Sequence, residues 1–444
     1  MNLKSMIQFL DRFPKITVSK PKEAIETVSN TIVKHRIFRF CKGVPYVRAP
    51  LYYQHLTEQD VLALIPNLLA PHQYMMLSSS QIAECYKRIR NHPALQIELD
   101  EMFWEQQHLL NLRNGVYDIH SQKVRNHSGE DCFDYVLDFE YRSGCKLADA
   151  PTFQHFVRTS IGNENLKCLL RIIGYCISSL TKGRKAILLT GHGKTGKSTL
   201  LDLLEAVITK ELVSHEPFRT MASEQSKAKY IGKRINISRD NSSVPMRYED
   251  SFKSLVSCEM TTGRELYKNS VDFHPTLKFI FASNLDLVFA HPDDAVYDRL
   301  VVLPFSRIIP EEMRDTELDQ KLLSEKNVIF SLAVDTLKDL VESKYDFCMS
   351  KEGQEYLNHR RMLLHTAENF LKEKTTPDPN GCISSVILYD TYKDWCNSNG
   401  LPPIGRNEFY HKVKDYSSNV QYKKVDSENG RVNGFRGLRL HDST

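Results

Sequence analysis

The chain has 444 residues, too many for one ordinary domain and suited to two or three. With 26% charged and 41% hydrophobic residues it has the balance of a soluble globular protein, which excludes a disordered or largely membrane-embedded chain. The net charge of +4 permits a polyanionic partner without requiring one, and ten scattered cysteines with no C-x-x-C pair argue against a zinc site or a disulfide framework and for reduced thiols inside a cell.

At the N-terminus, MNLKSMIQFLDRFPKI is interrupted by Lys4, Asp11 and Arg12 and lacks the unbroken apolar stretch of a secretory leader. No later stretch reaches the ~20 apolar residues of a membrane helix, so no membrane partner is expected. HRIFRF and VPYVR, joined by CKG (residues 35–48), alternate as a hairpin does. A second hairpin is expected over 108–127, with Asn114-Gly115 as the turn between LLNLR and VYDIH. Residues 152–180 carry apolar positions at helical spacing, and the pattern predicts two helices broken near Gly162. From Lys185 to about Phe305, apolar runs AILLT, RINIS, LKFIFAS and LVVLPF alternate with helix-like stretches, the texture of a buried, mostly parallel sheet.

Within that region Gly191-His192-Gly193-Lys194-Thr195-Gly196-Lys197-Ser198 fits G-x-x-x-x-G-K-[ST] without a mismatch. Glycines let backbone N–H groups curl around phosphate oxygens, and a helix starting at Lys197 aims its positive end at the same anion. Lys197 is expected to reach the β- and γ-phosphates of ATP, and the Ser198 hydroxyl to ligand Mg²⁺. The side chains of His192 and Lys194 read as loop fillers. The nucleotide-binding set is Gly191, Gly193, Lys194, Thr195, Gly196, Lys197, Ser198 and Thr199. A flanking strand (AILLT) and helix (STLLDLLEAVI) supply the context the motif needs. A P-loop by itself names no function, since kinases, GTPases, transporters and helicases share it.

Such sites place a carboxylate at the tip of a second strand, to hold Mg²⁺ through water or to activate the attacking water. Asp240, at the end of KRINISR, fills that position, with a solvated turn acid as the alternative; Glu249 and Asp250 fall at the start of a helix, where the dipole favours acids anyway. The buried strand 278–283 ends in Asn284, whose amide can orient water by donating and accepting at once; a surface turn asparagine is the alternative. DDAVYDRLVVLPF puts Arg299 just ahead of another strand, where it could serve as a finger to a triphosphate in a neighbouring subunit or as a structural ion-pair residue. Residues 316–343 read as amphipathic helices and TTPDPNG (375–381) as a linker. Two helices (VILYDTYKDWCNSNG, RNEFYHKVKDY) and two short strands (QYKKV, GFRGLRL) complete the chain. There Lys412, Lys414, Lys423, Lys424, Arg431, Arg436 and Arg439 interleave with Tyr410, Tyr416, Tyr422 and Phe435, which suits duplex backbone contact or a solvated charged face.

Taken in order, the P-loop, IGKRINISRD, KSLVSCEMTTGRELYKN, LKFIFASN and DDAVYDRLVVLPF resemble superfamily 3 helicases, in the branch of poxvirus primase-helicases and the phage and plasmid primase family. Gly232, Lys233 and Arg234 fill that branch's Gly-x-Arg; where the branch ends the second strand with Ser-Glu or Asp-Glu, this chain has Arg239-Asp240. The resemblance implies an AAA+-like ring, hexameric, with a pore hairpin over 253–268 that places Lys253, Arg264, Tyr267 and Lys268 against DNA. It also implies a collar ahead of the motor, a terminal winged helix and 3′→5′ movement; from the basic and aromatic run, Lys423, Lys424 and Arg436 are the expected DNA contacts of that terminal domain.

The expected architecture is an α/β P-loop NTPase core (184–310) behind an N-terminal α+β region (1–100) and a helical collar (101–183). A helical extension (311–374) and a winged-helix-like domain (375–444) follow. The expected function is an ATP-dependent replicative DNA helicase of a phage, plasmid, virus or mobile element, acting in the host cytoplasm on single-stranded and duplex DNA, alongside a separate primase. Catalysis falls to Lys197, Asp240, Asn284 and Arg299, and the metal to Ser198 and Asp240. An origin-binding initiator is the runner-up, and a small-molecule P-loop kinase the third reading.

Overall fold

The computed structural model describes residues 7–441 apart from 9, 42, 98–104, 129–130, 132, 209, 240–245, 247, 265–269, 285–286, 288, 291 and 428–429, and the side chains of 21 and 427. The chain forms two compact units, Met1–Val288 with Leu303–Met349, and Phe289–Val302 with Ser350–Thr444.

In the first unit, α1 (Ala24–His35) buries Ala24, Val28 and Ile32 and stops at Arg36, whose left-handed backbone (φ 50°) lets its N–H return to Ile32 O and Val33 O. The expected hairpin is present as β1 (Phe38–Cys41) and β2 (Val44–Arg48), and a third strand, β3 (Tyr53–His55), extends it. Helices α2 (Glu58–Leu64) and α3 (Ser79–Arg90) each begin in a reciprocal capping box, Thr57 with Asp60 and Ser78 with Gln81. Phe38, Phe40, Val61, Leu64 and Ile89 join α1 in one apolar core.

The second hairpin corrects the sequence reading by one residue. β4 (Leu109–Leu112) pairs with β5 (Gly115–Asp118) in the register Leu112↔Gly115, so Arg113 and Asn114 make the turn and Gly115 opens the strand. The reason is the next strand: β6 (Lys123–Arg125) runs so close that a Cβ at Gly115 (φ 148°) would lie 2.4 Å from Arg125 O. Asn114 is instead fixed by the backbone of Tyr141, donating from Nδ2 to its oxygen at 2.9 Å and accepting from its nitrogen at 3.1 Å.

α4 (Pro151–Ser160) and α5 (Leu166–Ile177) break at Gly162 (φ 85°), as the pattern predicts. Beyond them lie β7 (Ala186–Thr190), α6 (Lys197–Val207), β8 (Val213–Ser214), α7 (Glu224–Ala228), β9 (Ile235–Ser238), α8 (Glu249–Val256), the hairpin β10 (Thr261–Gly263) and β11 (Val271–Phe273), and β12 (Lys278–Ser283). α9 (Asp294–Tyr297) precedes β13 (Leu300–Pro304), and the sheet order is β13-β7-β12-β9-β8. β12 runs parallel to both β7 and β9, and every residue of β9 and β12 is buried, as strands covered on both faces require. Helices α10 (Leu318–Ser324), α11 (Lys326–Asp335) and α12 (Leu337–Glu342) follow.

Lys253 does not belong to the hairpin in which the resemblance places it. It sits on α8, whose buried face is Glu249, Phe252, Leu255 and Val256, and its ammonium lies 2.8 Å from Asp250 one turn back. The helical spacing of those apolar residues outweighs a strand assignment.

Besides α9 and the start of β13, the second unit contains α13 (Lys351–Leu364), α14 (Thr366–Lys374), β14 (Thr375–Ser384), α15 (Ser385–Ser398), α16 (Arg406–Tyr416), β15 (Gln421–Ser427) and β16 (Gly430–Leu440), with sheet order β14-β16-β15. Residues 375–381 are therefore not a linker. They form an edge strand whose register with β16 slips between Asp378 and Cys382, and an edge is where prolines lacking an N–H are tolerated. Phe370, Tyr392, Phe409, Phe435 and Leu438 close its core, with Tyr392 stacked on Phe409 at 4.3 Å. Among the described residues no helix is long and apolar enough to cross a membrane.

Candidate nucleotide site and nucleic-acid surface

The register Ser283↔Thr190 brings the ends of β12 and β7 side by side, so Asn284 and Gly191 leave the sheet as neighbours. The loop that follows β7 explains its glycines unequally. A Cβ on Gly191 (φ 142°) would lie 2.1 Å from Phe305 O, and one on Gly196 (φ 98°) 2.8 Å from Ser160 Oγ and 2.9 Å from Phe156 Cε2. A Cβ on Gly193 would meet nothing within 4 Å, so the fold itself does not demand glycine there.

Lys197 opens α6 and is buried. Its ammonium donates to Gly191 O and His192 O, each at 2.6 Å, which holds the cation inside the loop's curl. Thr195 Oγ1 also donates to His192 O, at 3.0 Å. Ser198 and Thr199 follow in the first helical turn, where N–H groups lack intrahelical acceptors and the helix dipole is positive. An anion seated there would meet a charge already in place.

The loop forms one wall of a cavity of ≈ 970 Å³, roomy enough for a nucleoside triphosphate. Gly193, Lys194, Thr195, Gly196, Lys197, Ser198, Thr199 and Asn284 all line it. Sequence reasoning missed the other walls, which come from α4 (Pro151, His155, Phe156, Thr159) and from the segment Arg307 to Leu318. That segment is tied down from both sides. Ile309 N donates to Lys194 O at 3.1 Å, Phe305 N to Thr190 O at 2.7 Å, and Arg307 Nη1 to Arg158 O at 2.7 Å. The first turn of α4 is in turn capped by Glu325, whose two carboxylate oxygens accept from Thr152 N and Phe153 N at 2.9 Å each. No local motif marks these residues, because they meet the loop only through tertiary folding.

Arg239, just past the end of β9, also lines the cavity. Its guanidinium donates to Asp202 at 2.9 Å and Glu205 at 2.8 Å, both on α6. Burial alone would lower its pKa; the two carboxylates more than reverse that and hold the charge. Arg239, which stands where the resembled branch has Ser or Asp, thus clamps the strand end to α6. Asp240, the expected carboxylate, lies outside the described residues. Arg299 belongs to the second unit, where Nη1 donates to Ala295 O at 2.8 Å.

Of the expected DNA contacts, Arg264 is exposed directly after β10, and Tyr267 and Lys268 lie outside the described residues. Lys423, Lys424 and Arg436 are exposed on the second unit's sheet, on different faces. Residues alternate along a strand, and the register Tyr422↔Phe435 and Lys424↔Asn433 puts Tyr422 and Lys424 on the side that carries α16. There Tyr410 lies 5.7 Å from Tyr422, and Lys414 Nζ sits 5.1 Å from the Tyr422 ring. Lys423 donates to Gln421 at 3.1 Å and shares the reverse side with Arg436.

Residues 33–162 match the family described as D5 N terminal like, and residues 189–299 match DUF5906, a family of unknown function. A protein named as a helicase from Acanthamoeba polyphaga mimivirus is 22% identical over 353 residues, which is 71% of this chain and 36% of that protein. The chain therefore spans about a third of the viral protein's length. Two apo structures of the NrS-1 C-terminal region share the fold at 12% identity. One has a TM-score of 0.54 and covers 92% of this chain and 98% of that one; the other scores 0.53 and covers 94% and 99%. The chain thus has the fold of the NrS-1 C-terminal region around a P-loop cavity, and over most of its length it is similar to a viral protein that bears the name of a helicase.

Proposed function

We propose that this chain is an ATP-driven DNA helicase that serves the replication of a virus, phage or mobile element. The observation that carries the reading is the meeting of Lys197, Ser198 and Asn284 on one cavity, at the adjoining ends of two parallel strands. A motor needs a phosphate cradle and a group that senses the γ-phosphate in fixed relation, and this pairing supports giving those parts to Lys197 with Ser198 and to Asn284. The similarity to a helicase-named viral protein supports the choice of helicase over kinase.

In this reading Lys197 moves from the carbonyls of Gly191 and His192 to the β- and γ-phosphates. Gly191, Gly193, Lys194, Thr195, Gly196 and Thr199 shape the loop around them. The Ser198 hydroxyl, exposed in the first turn of α6, is suited to a hard cation, and Asp240 is its proposed companion ligand. Mg²⁺ bound there with the nucleotide would supply neutralising charge for the transferring phosphoryl group. Asn284 orients the attacking water, and Arg299 from a neighbouring copy supplies a cation to the transition state. The motor is proposed to be AAA+-like, of superfamily 3 type, assembled as a hexameric ring with Arg264, Tyr267 and Lys268 facing DNA. The strand–helix–helix–strand–strand arrangement after α14 reads as a winged helix, with Lys414, Tyr422 and Lys424 set against duplex phosphates and Lys423 and Arg436 as a second basic edge. That exposed basic and aromatic face favours origin binding as the second reading.

The test is ATP hydrolysis by the purified chain with and without single-stranded DNA, beside Lys197→Ala, with molecular mass measured in nucleotide. Hydrolysis stimulated by DNA, loss in the variant and a ring-sized assembly are expected. A protein that neither binds nor hydrolyses nucleotide in any of these conditions would remove the reading. An initiator would melt or bind duplex origin DNA with no processive unwinding.

A further inference from the structure

The segment that carries Arg299 forms part of the second unit rather than of the first, which holds the P-loop. Its helix, α9, is a single turn of four residues, too short to hold its own shape in water. Among the described residues, three things help to hold it. Asp293 caps it, accepting from Val296 N at 2.9 Å. Val296 and Tyr297 are buried, and Tyr297 meets Phe289 edge-on at 6.3 Å. The third hold is electrostatic and comes from α13 and the residue just after it. Arg361 Nη2 lies 2.7 Å from Asp298 Oδ1 and its Nε 3.9 Å from Asp294 Oδ1, while His365 Nε2 lies 2.9 Å from Asp294 Oδ2.

Asp294 opens the turn and Asp298 immediately precedes Arg299, so the two carboxylates bracket it. Arg361 and His365 stand four residues apart, about one helical turn, and match that bracket. The Arg299 guanidinium leans on the same turn through Ala295 O. Ion pairs this exposed (Asp298 at 65%, Asp294 at 53%) contribute little to global stability.

We infer that Arg361 and His365 are positioning residues for Arg299: they set the orientation in which its guanidinium is presented, and so make hydrolysis depend on the unit that carries the basic helix–sheet module. This rests on the reading of Arg299 as the cation that completes the hydrolytic site. Neither residue lines the P-loop cavity. A chain with a loosened turn still binds ATP normally and turns it over more slowly, because Arg299 samples orientations that leave the transition state without its partner.

The experiment uses the full chain with Arg361→Ala, His365→Ala, Arg361→Lys, Arg299→Ala and the double variant Arg299→Ala/Arg361→Ala. DNA-stimulated ATP hydrolysis and binding of a fluorescent ATP analogue are measured in each. Arg361→Ala and His365→Ala are expected to lower kcat about three- to fivefold, the scale of one exposed ion pair, with KM and analogue affinity unchanged. Arg361→Lys is expected to recover most of the loss, and Arg361→Ala to cost nothing further once Arg299 is gone. An equal proportional loss in the Arg299→Ala background, a loss that appears in KM instead, or wild-type turnover in Arg361→Ala would each overturn the inference. If Arg299→Ala alone leaves hydrolysis intact, the role given to Arg299 above falls too, a result read without reference to Arg361.

Discussion

Lys278 opens β12, the strand that delivers Asn284 to the cavity, and is only 3% exposed. Its ammonium lies 4.9 Å from the Tyr175 ring centre, with Cys258, Arg234 and Cys176 as the charged or ionisable neighbours that act on it. Burial pushes its pKa from 10.5 down to about 8. Below pH 8 the folded and unfolded chains both carry the charge, so the cost of burying it is felt in full. Between about 8 and 10.5 the folded chain has released a proton that the unfolded chain still binds, and stability climbs with pH. At about 1.4 kcal/mol per pH unit the gap corresponds to about 3 kcal/mol. Loss of the cation–ring contact offsets about 1 kcal/mol. Lys278→Met is therefore expected to raise stability near neutral pH by about 2 kcal/mol and to flatten the alkaline rise. Urea unfolding of both proteins, at neutral pH and again at a pH about one unit below 10.5, reads both effects. A variant that is less stable at neutral pH, or that keeps the wild-type alkaline rise, would show that Lys278 is compensated in place and that the reasoning from burial is wrong.

The P-loop glycines separate by cause. Gly196→Ala is expected to lower the melting temperature by an amount equivalent to about 1–3 kcal/mol, from positive φ and the approach of Ser160 and Phe156; Gly193→Ala should melt like the wild type and lose only nucleotide affinity. Thermal melting with and without nucleotide distinguishes them. On the second unit, Lys424→Ala and Tyr422→Ala are expected to weaken duplex DNA binding more than Lys423→Ala does. Lys424→Ala should also reduce the salt slope by about one; equal effects at 423 and 424 would argue against the face assigned to α16.

The parts legible in the sequence are those whose chemistry is local. The P-loop is fixed by backbone curvature and one helix terminus within eight residues, and β12 by an apolar run that ends in an amide. The cavity's other walls were not legible, since Phe156 and Ile309 reach the loop from about 40 residues before it and about 110 after it, and neither side chain has a motif of its own. The hairpin turn slipped by one residue because Asn114-Gly115 satisfies the turn preference in either register, and only the approach of Arg125 decides between them. Prolines at 377 and 379 read as a linker because a sequence does not reveal that a strand has one unpaired side. Arg239 read as a neighbour of the expected acid; its clamp on Asp202 and Glu205 depends on partners more than thirty residues away.

The small sheet of the second unit has margins that resist growth. A strand arriving from another molecule at the outer side of β14 would find Pro377 and Pro379, which have no amide hydrogen to offer, and a local slip in the ladder. At the opposite margin, β15, it would have to lie beside two adjacent lysines and pay to strip their hydration. This module is built to stay three strands wide, and so to resist the edge-to-edge stacking that leads to fibrils.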